Sequence, residues 1–169
     1  IKQWSTTVGL SWNRRLKDGS GTMRTSLSTN ILNNGFSQFT DNLNQTGLYF
    51  SNDSRESETK LRHEQVRYWG DWIVSGGFIV QRAQYRNSTL NLVDDLRFDS
   101  ALDFLRYGFF AQASRSLLNN RLDLSFGIRN DANTFTDEDN QLLATLSPRL
   151  SLSYALDPKK RWRLNASVG

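Results

Sequence analysis

The sequence predicts an all-β fold, an antiparallel up-and-down meander of about eight strands, and three observations support this. Apolar and polar residues alternate in many stretches, which is the period of a strand and not of a helix. Gly, Asn, Asp and Pro stand between these stretches, as tight turns require. No run of eighteen apolar residues occurs, so the sequence predicts no transmembrane helix.

The strands follow from this alternation. In the first, WSTTVGLSW, Trp4 and Trp12 bracket an apolar face whose middle residues are smaller. Residues 72–85 are apolar on both faces, and Phe110 interrupts the alternation of its strand. The predicted strands are 2–14, 22–32, 58–69, 72–85, 103–116, 121–131, 145–156 and 161–169.

The connections between these strands alternate between short and long. Short turns are predicted at 17–21, 69–72, 118–120 and 157–160, and long segments at 33–57, 86–102 and 132–144. A further short strand is expected near Gly47 to Phe50. Short turns at one end and long loops at the other are typical of an outer-membrane barrel. The fold class predicted is therefore a meander that forms part of a transmembrane β-barrel.

Composition narrows the classes of function. The chain of 169 residues has a net charge of +4, no cysteine and one histidine, His63. Disulfides, thiolate metal sites, a Cys nucleophile and a His–His metal motif are therefore excluded. The arginines are dispersed, so we expect no nucleic-acid partner. The mean hydropathy of −0.58 agrees with barrel strands, which are half polar.

Aromatic placement distinguishes two interpretations of the apolar face. In a soluble barrel or sandwich this face would look inward, whereas in a membrane barrel it would look at lipid. Most tryptophans lie beside a predicted short turn, and indole and phenol rings favour the boundary between water and hydrocarbon. This favours the membrane barrel. The predicted membrane-interface aromatics are Trp4, Trp12, Trp69, Trp72, Tyr154 and Trp162.

The polar face carries arginines that a dry core would not tolerate unpaired. Arg106, Arg129, Arg149 and Arg163 are predicted to face the lumen as candidate ligand-binding residues. The last three come from neighbouring strands, so a ladder of arginines is expected there. The alternative is that these side chains coat the solvated face of a soluble sheet.

The last third of the chain resembles the barrel domain of TonB-dependent outer-membrane receptors. The resembling segments are YGFFAQASRSLLNNRLDLSFGIRND (107–131) and LSPRLSLSYALDPKKRWRLNASVG (146–169), while earlier residues fit by architecture. The resemblance implies a barrel of about 22 strands plugged by an N-terminal domain. It also implies import of scarce nutrients such as siderophores, cobalamin or glycans, driven by the TonB system of the inner membrane.

The chain departs from that family in its length. About eight strands are predicted, with no plug domain and no TonB box. With short turns on the periplasmic side, both chain ends would lie at the extracellular rim, unlike those of complete barrels. We therefore expect residues 1–169 to form a single segment of a larger barrel. Its open strand edges would favour self-association.

Three groups of residues suggest other kinds of site, but solvated loops or a surface position explain each of them as well. Asp131, Asp137, Glu138 and Asp139 offer oxygen ligands for calcium, but their spacing is not that of an EF-hand. Carboxylates suited to glycoside hydrolysis stand at Asp94, Asp95, Asp99 and Asp103. A Ser–His–Asp triad would need His63, but no G-x-S-x-G elbow occurs. No catalytic residue, cofactor or metal is predicted.

The sequence thus predicts a segment of a TonB-dependent transporter barrel in the bacterial outer membrane, without catalysis. The larger protein of which this chain would be a segment is called the parent below. The expected partners are outer-membrane lipid, a small-molecule or glycan substrate, and the plug domain and TonB system of the full-length parent. The alternative is a stand-alone small β-barrel that binds a ligand or partner through its long loops. A third possibility is an outer-membrane enzyme that acts on lipid or glycan.

Overall fold

The computed structural model describes residues 1–136 and 144–169, which form one sheet of eight antiparallel strands. The strands pair in chain order, so β1 and β8 stand at the two ends of the order. Within the described residues, no helix is long and apolar enough to cross a membrane. The strands are β1 (Lys2–Arg15), β2 (Gly21–Asp41), β3 (Thr46–Trp69), β4 (Trp72–Asn91), β5 (Leu96–Leu117), β6 (Leu122–Asn133), β7 (Ser147–Ala155) and β8 (Arg163–Val168).

The chain divides into two compact units, each of which combines pieces of several strands. Unit 1 comprises Ile1–Leu10, Leu27–Lys60 and Gln81–Leu105. Unit 2 comprises Ser11–Ser26, Leu61–Val80 and Arg106–Gly169. Unit 1 contains the β2–β3 and β4–β5 turns, whereas unit 2 contains the four connections predicted to be short.

The prediction of long loops at 33–57 and 86–102 was wrong. Both segments continue as strand, and the turns that join them occupy only 42–45 and 92–95. The strand expected near Gly47 to Phe50 is the start of β3. These extensions are mostly polar, and their apolar residues, such as Phe36 and Phe39 or the consecutive Leu48–Phe50, do not alternate regularly, so the pattern that reveals a strand is missing. Backbone hydrogen bonds to neighbouring strands hold these extensions in the sheet, and such bonds do not depend on side-chain polarity.

Side chains close the two turns of unit 1. Asp41 accepts hydrogen bonds from the backbone N–H groups of Leu43 (2.9 Å) and Asn44 (3.1 Å). Asn91 accepts one from the backbone N–H of Val93 at 3.0 Å. Asn and Asp favour turns because their side chains bond backbone groups two or three residues on. Residues that appear to mark long polar loops therefore mark tight hairpins.

The β5–β6 turn of unit 2 has a strained backbone. Leu118, Asn119 and Asn120 have φ values of 54°, 55° and 60°, all in the left-handed region. Asn tolerates this conformation, whereas Leu gains nothing from it. The turn was predicted from its two asparagines, and the structure confirms a short connection between Leu117 and Leu122.

Gly77 leaves space for the ring of Phe110, the residue that interrupts the predicted alternation in β5. Phe110 pairs with Arg129 and so shares a face with polar residues. A Cβ atom on Gly77 would lie 2.9 Å from Cε1 of Phe110 and would also meet the carbonyl oxygen of His63. Real Cβ atoms do not approach so closely, so the ring occupies space that only glycine leaves open.

The described residues contain almost no buried hydrophobic core. Ala132 and Ala155 are the buried hydrophobic residues among them, and Gln81 and Asn130 are the buried polar ones. A soluble domain of this length would bury many large aliphatic and aromatic side chains. The large apolar side chains of the described residues are therefore mostly exposed, which argues against the soluble interpretation.

Candidate functional site

The register of β5–β8 separates two faces of the sheet in unit 2. Residues directly opposite each other in an antiparallel pair point to the same side. One face is apolar, as in the pairs Phe126–Leu150 and Leu150–Val168. The other is polar, as in Ser125–Ser151 and Ser151–Ser167. Each face continues across several strands, so the segregation belongs to the sheet and not to one strand.

The apolar face carries large exposed side chains. Phe126, Leu150, Leu164 and Val168 are 54%, 52%, 58% and 69% exposed. Contiguous apolar surface of this kind is rare on a soluble monomer and marks contact with lipid or with another protein. A β-sheet whose large apolar side chains point away from its polar face is the arrangement of a membrane barrel wall.

Four of the six predicted interface aromatics are exposed, whereas Trp72 and Tyr154 are half-buried. In unit 2, Trp12, Trp69 and Trp162 are each at least half exposed, and in unit 1 so is Trp4. Trp69 and Trp72 flank the two-residue β3–β4 turn. Exposed indoles beside turns suit an interfacial position, although their depth in a membrane stays a prediction.

Two of these aromatics are held by arginine. The guanidinium of Arg115 lies 5.6 Å from the ring centre of Trp72 and bonds Asp71 at 2.7 Å. The guanidinium of Arg121 lies 5.5 Å from the ring centre of Tyr154. These contacts fix the rings by cation–π attraction near the turns.

All four candidate arginines share the polar face of unit 2. Arg106 pairs with Asn133, and Arg129 pairs with Phe110 and Ser147. The partner of Arg149 is Gly127, and the partner of Arg163 is Ala155. These register positions belong to the same side as the serines described above.

The expected arginine ladder does not form. Arg129 and Arg149 occupy diagonal positions on β6 and β7, but Arg163 stands opposite Ala155, six residues along β7 from Arg149. At ~3.3 Å per residue this is roughly 20 Å, too far for a continuous ladder. Arg129 instead bonds Asp131 at 2.5 Å, which counterbalances its charge.

Arg163 belongs to a hydrogen-bonded network beside a cavity of about 650 Å³ whose lining is part polar and part apolar. Its guanidinium donates to Asp123 at 2.8 Å and to the Ser153 hydroxyl at 3.2 Å. Asp123 also accepts from the Ser116 hydroxyl at 2.6 Å. Further lining residues are Ser114, Ser125, Ser151, Asn165 and Ser167. Hydroxyl and amide groups of this kind suit a water-filled passage for polar solutes.

His63 is not part of a nucleophile–base arrangement with an acid. Its Nδ1 lies 2.8 Å from the Thr25 hydroxyl, and its ring stacks on Phe78 with 5.5 Å between the centres. No acidic residue is bonded to His63 in the structure as described. The serine-rich cavity lies among different residues. The structure gives the triad interpretation no support.

The carboxylates considered for glycoside hydrolysis are engaged by neighbours. Asp103 accepts two hydrogen bonds from Arg82, at 3.0 and 2.6 Å, and Asp99 pairs with Arg97 at 3.5 Å. Asp99 and Asp103 stand four residues apart on one strand, ~13 Å by strand geometry. The carboxyl groups of glycosidases are closer, about 5–9.5 Å apart.

The calcium interpretation depends on residues the structure does not describe. Asp137, Glu138 and Asp139 lie outside the described residues, while Asp131 bonds Arg129. Among the described residues, no cluster of three or more His, Asp or Glu side chains is arranged to hold a metal ion.

One polar cavity was not anticipated from the sequence. It lies in unit 1, has a volume of about 980 Å³ and is lined in part by Lys2, Asn33, Arg55 and Arg86. Arg55 and Arg86 fall in the segments predicted as loops. Because those segments show no apolar alternation, no sequence pattern predicted that these side chains would share a surface.

The apolar exposed face, the polar hydrogen-bonded face and the meander together define a wall of a transmembrane β-barrel. A family model described as TonB dependent receptor-like, beta-barrel, matches residues 2–169. The chain belongs to this family of TonB-dependent receptor barrels of the Gram-negative outer membrane. The resemblance found in 107–131 and 146–169 is thereby confirmed and extended to the earlier residues.

A solved structure shows the same fold. The chain is similar to the copper transporter OprC, with a TM-score of 0.70 and 14% sequence identity. The similarity covers 96% of this chain and 30% of the transporter chain, so the present chain spans less than a third of its length. A search of curated proteins found no match.

Proposed function

We propose that the parent of this chain imports a scarce nutrient across the outer membrane and that residues 1–169 form one segment of its barrel wall. The observation that carries the proposal is the separation of faces in β5–β8, with Leu150 and Phe126 exposed on one side and the Asp123–Arg163 network on the other. In a membrane, the first side would contact lipid and the second would line the lumen.

The substrate classes proposed are siderophore, cobalamin or glycan. The lumen face offers hydroxyls, amides and guanidiniums, which bind oxygen-rich polar solutes by hydrogen bonds. Copper, the substrate named for OprC, fits the segment less well. Copper favours Cys, Met and His ligands, and the sequence has no cysteine, one methionine and one histidine, His63. His63 contacts Thr25 and Phe78.

The proposed partners are a plug domain within the parent and the TonB system of the inner membrane. Both follow from the family to which the chain belongs. Arg129, Arg149 and Arg163 would then face the plug or the passage beside it. A role in substrate contact for Arg106, Arg129, Arg149 and Arg163 stays a prediction.

The stand-alone barrel that binds through long loops has less support. Two of its three long loops are hairpin strands with four-residue turns, at 42–45 and 92–95. The third connection includes 137–143, outside the described residues. The enzyme alternative lacks a supporting arrangement of Asp99 and Asp103, and both the family and the solved neighbour are receptors or transporters.

The topology is tested by labelling single cysteines in the parent, produced in outer membranes. The segment has no cysteine of its own, so Ser151→Cys and Leu150→Cys each add one to it. We expect a membrane-impermeant maleimide to label Ser151→Cys but not Leu150→Cys. A bilayer-soluble maleimide should label Leu150→Cys. Equal labelling of both by the impermeant reagent would refute the assignment of faces.

Import is tested by growth and uptake in a strain that lacks the parent gene. Iron–siderophores, cobalamin and oligosaccharides are supplied one class at a time as the limiting nutrient. We expect the wild-type parent to restore uptake of one class in a TonB-dependent manner, whereas a parent without its TonB-contacting segment does not. Restoration of none of these classes would contradict the proposed substrates.

A further inference from the structure

The cavity of about 980 Å³ in unit 1 lies on the apolar side of the sheet, beyond the apolar residues. One contact establishes the faces of β1 and β2. Thr7 donates a hydrogen bond to Asn30 at 2.8 Å, so these two residues share the polar side. Trp4, Val8 and Leu10 have the opposite parity on β1 and therefore point the other way.

Further contacts show that the cavity lies on that apolar side. Thr29 has the opposite parity to Asn30 on β2 and therefore points to the apolar side. Its hydroxyl lies 3.1 Å from that of Thr59, so Thr59 on β3 points to the same side. A Cβ atom on Gly35 would lie 2.9 Å from Oδ1 of Asp53 and 3.8 Å from Cβ of Lys2. Strand alternation then gives Arg55 the same direction as Asp53 and Thr59. We call the cavity around Lys2, Trp4, Asn33, Arg55 and Arg86 the rim cavity.

Arg55 and Arg86 occupy opposite positions on β3 and β4, and both line the rim cavity. Asn52 bonds Thr89 at 2.7 Å across β3 and β4, and three positions further along each strand come Arg55 and Arg86. Like charges directly opposite in a sheet are destabilising. Nearby Arg82 and Arg97 are paired with Asp103 and Asp99.

Neither Arg55 nor Arg86 has a carboxylate within ion-pair distance among the described residues. Lys2 contributes a third positive charge to the cavity, while the lining carboxylates are those of Asp53 and Asp99. Asp99 is already engaged by Arg97. The rim cavity therefore has an excess of positive charge that a bound anion would balance.

An unsatisfied donor lies in the same cavity. Nδ2 of Asn33 is buried and has no hydrogen-bond partner among the described residues. A buried amide without a partner costs free energy, so a group that accepts this hydrogen bond would be stabilised there. The cavity thus combines a cationic pair with an amide donor.

The depth of the rim cavity fits a lipid headgroup. Val8 is midway between Trp4 and Trp12, the aromatics predicted at the two membrane boundaries. Lys2 is six residues from Val8, ~20 Å along the strand. With a strand tilt of ~40° this is roughly 15 Å along the membrane normal, the half-thickness of the hydrocarbon layer.

We propose that the rim cavity binds the phosphate of a phosphorylated glycolipid of the outer leaflet, the chemical class of lipopolysaccharide. Arg55 and Arg86 hold the phosphate between them, and Lys2 adds charge. The amide of Asn33 bonds the headgroup, and Trp4 contacts the acyl region below. Guanidinium groups bind phosphate oxygens by paired, charge-assisted hydrogen bonds. This inference rests on the membrane topology proposed above, because the cavity faces lipid only if the apolar side does.

The test compares the full-length parent with its Arg55→Gln/Arg86→Gln variant, each purified from outer membranes. Arg62→Gln is the matched control, since Arg62 lies on the same strand, has the opposite parity and pairs with Glu64 at 3.1 Å. The measurement is glycolipid phosphate retained per protein, together with titration by purified lipid A, dephosphorylated lipid A and inorganic phosphate.

Removing each guanidinium should weaken lipid A binding about fivefold, and removing both about 25-fold. Arg62→Gln should bind as the wild type does, and the charge-conserving variant Arg55→Lys/Arg86→Lys should retain most of the affinity. Dephosphorylated lipid A should bind as weakly to the wild type as lipid A does to the double glutamine variant. Inorganic phosphate should bind weakly, because it lacks the acyl contacts.

Three outcomes would overturn the proposal: undiminished binding by the glutamine variant, equal affinity for dephosphorylated lipid A, or inorganic phosphate binding as tightly as lipid A. The cysteine labelling separates this failure from failure of the proposed function. If Ser151→Cys and Leu150→Cys label as expected and lipid binding is unchanged, the lipid site alone is refuted. Correct folding of each variant is verified by its heat-dependent shift in gel mobility.

Discussion

Replacing Leu150 by arginine tests whether the apolar face contacts lipid. Leu150 stands between Phe126 and Val168 in the register, and its side chain is 52% exposed. It lies five residues from Ala155, the last residue of β7. This is ~16 Å along the strand and ~13 Å along the membrane normal at ~40° tilt, close to the middle of a ~25 Å apolar band.

The expected cost follows from that depth. An arginine that faces lipid near the midplane destabilises a barrel by about 2–4 kcal/mol. A cost of about 3 kcal/mol changes the folding equilibrium roughly 150-fold. Ser151→Arg is the control, because Ser151 pairs with Ser125 and Ser167 on the polar face. There the new guanidinium stays in water, and we expect a change within about 0.5 kcal/mol.

The assay is equilibrium unfolding of the full-length parent in lipid vesicles, with tryptophan fluorescence and gel mobility as the two signals. Leu150→Arg should shift the unfolding midpoint strongly to lower denaturant, and Ser151→Arg should not. Equal destabilisation by the two variants, or a larger effect at Ser151, would refute the assignment of the apolar face to lipid.

Three further predictions concern local structure. Gly77→Ala should lower the unfolding free energy of the parent by about 1–3 kcal/mol, because the new methyl group meets the Phe110 ring; an unchanged midpoint would contradict the close packing. Leu118→Gly should raise the unfolding free energy by about 1 kcal/mol, since glycine adopts φ of 54° without strain; the same unfolding assay measures it, and a loss of stability would refute the strained turn. In the β7–β8 turn, burial raises the pKa of Asp157, but hydrogen bonds from Arg161 and nearby backbone N–H groups outweigh burial and hold that pKa below its ordinary value. The turn is therefore stabilised above about pH 4 and loses this contribution as the pH falls through the lowered pKa; fluorescence of the adjacent tryptophan should report the transition, and Asp157→Asn should abolish it.

Sequence periodicity predicted most of the membrane-spanning sheet. In β6 and β7 the alternation of Phe126 and Leu150 with Ser125 and Ser151 follows directly from the period of a strand, and the register confirms the two faces. About eight strands were predicted, and the described residues form eight. Alternation was informative here because one side of each strand is apolar and the other is polar.

The same reasoning failed where both sides of a strand are polar. The segments around Arg55 and Arg86 have no apolar side to mark their period, so they were predicted as loops although they are strands. For this reason, the alternation of residues in the sequence did not predict the rim cavity. Its charged pair arises from the pairing of β3 with β4, and no local pattern reports which residues face each other across two strands.

The arginine predictions show a similar limit. Parity alone predicted that Arg129, Arg149 and Arg163 share a face, and the register agrees. Their positions along the strands depend on where each turn lies. The β7–β8 turn places Arg163 opposite Ala155, which is six residues from Arg149 on β7. Arg163 therefore bonds Asp123 and does not extend a ladder.

By itself, the sequence determined the approximate strand count and the chemistry of each face, because residues alternate between the two faces of a strand with a period of two. It also showed the family resemblance, through the segments 107–131 and 146–169. Only the tertiary structure decided the length of the hairpins, the heights of the arginines and the meeting of Arg55 with Arg86. Those features depend on inter-strand register, which is set by turns and backbone hydrogen bonds between residues distant in the chain.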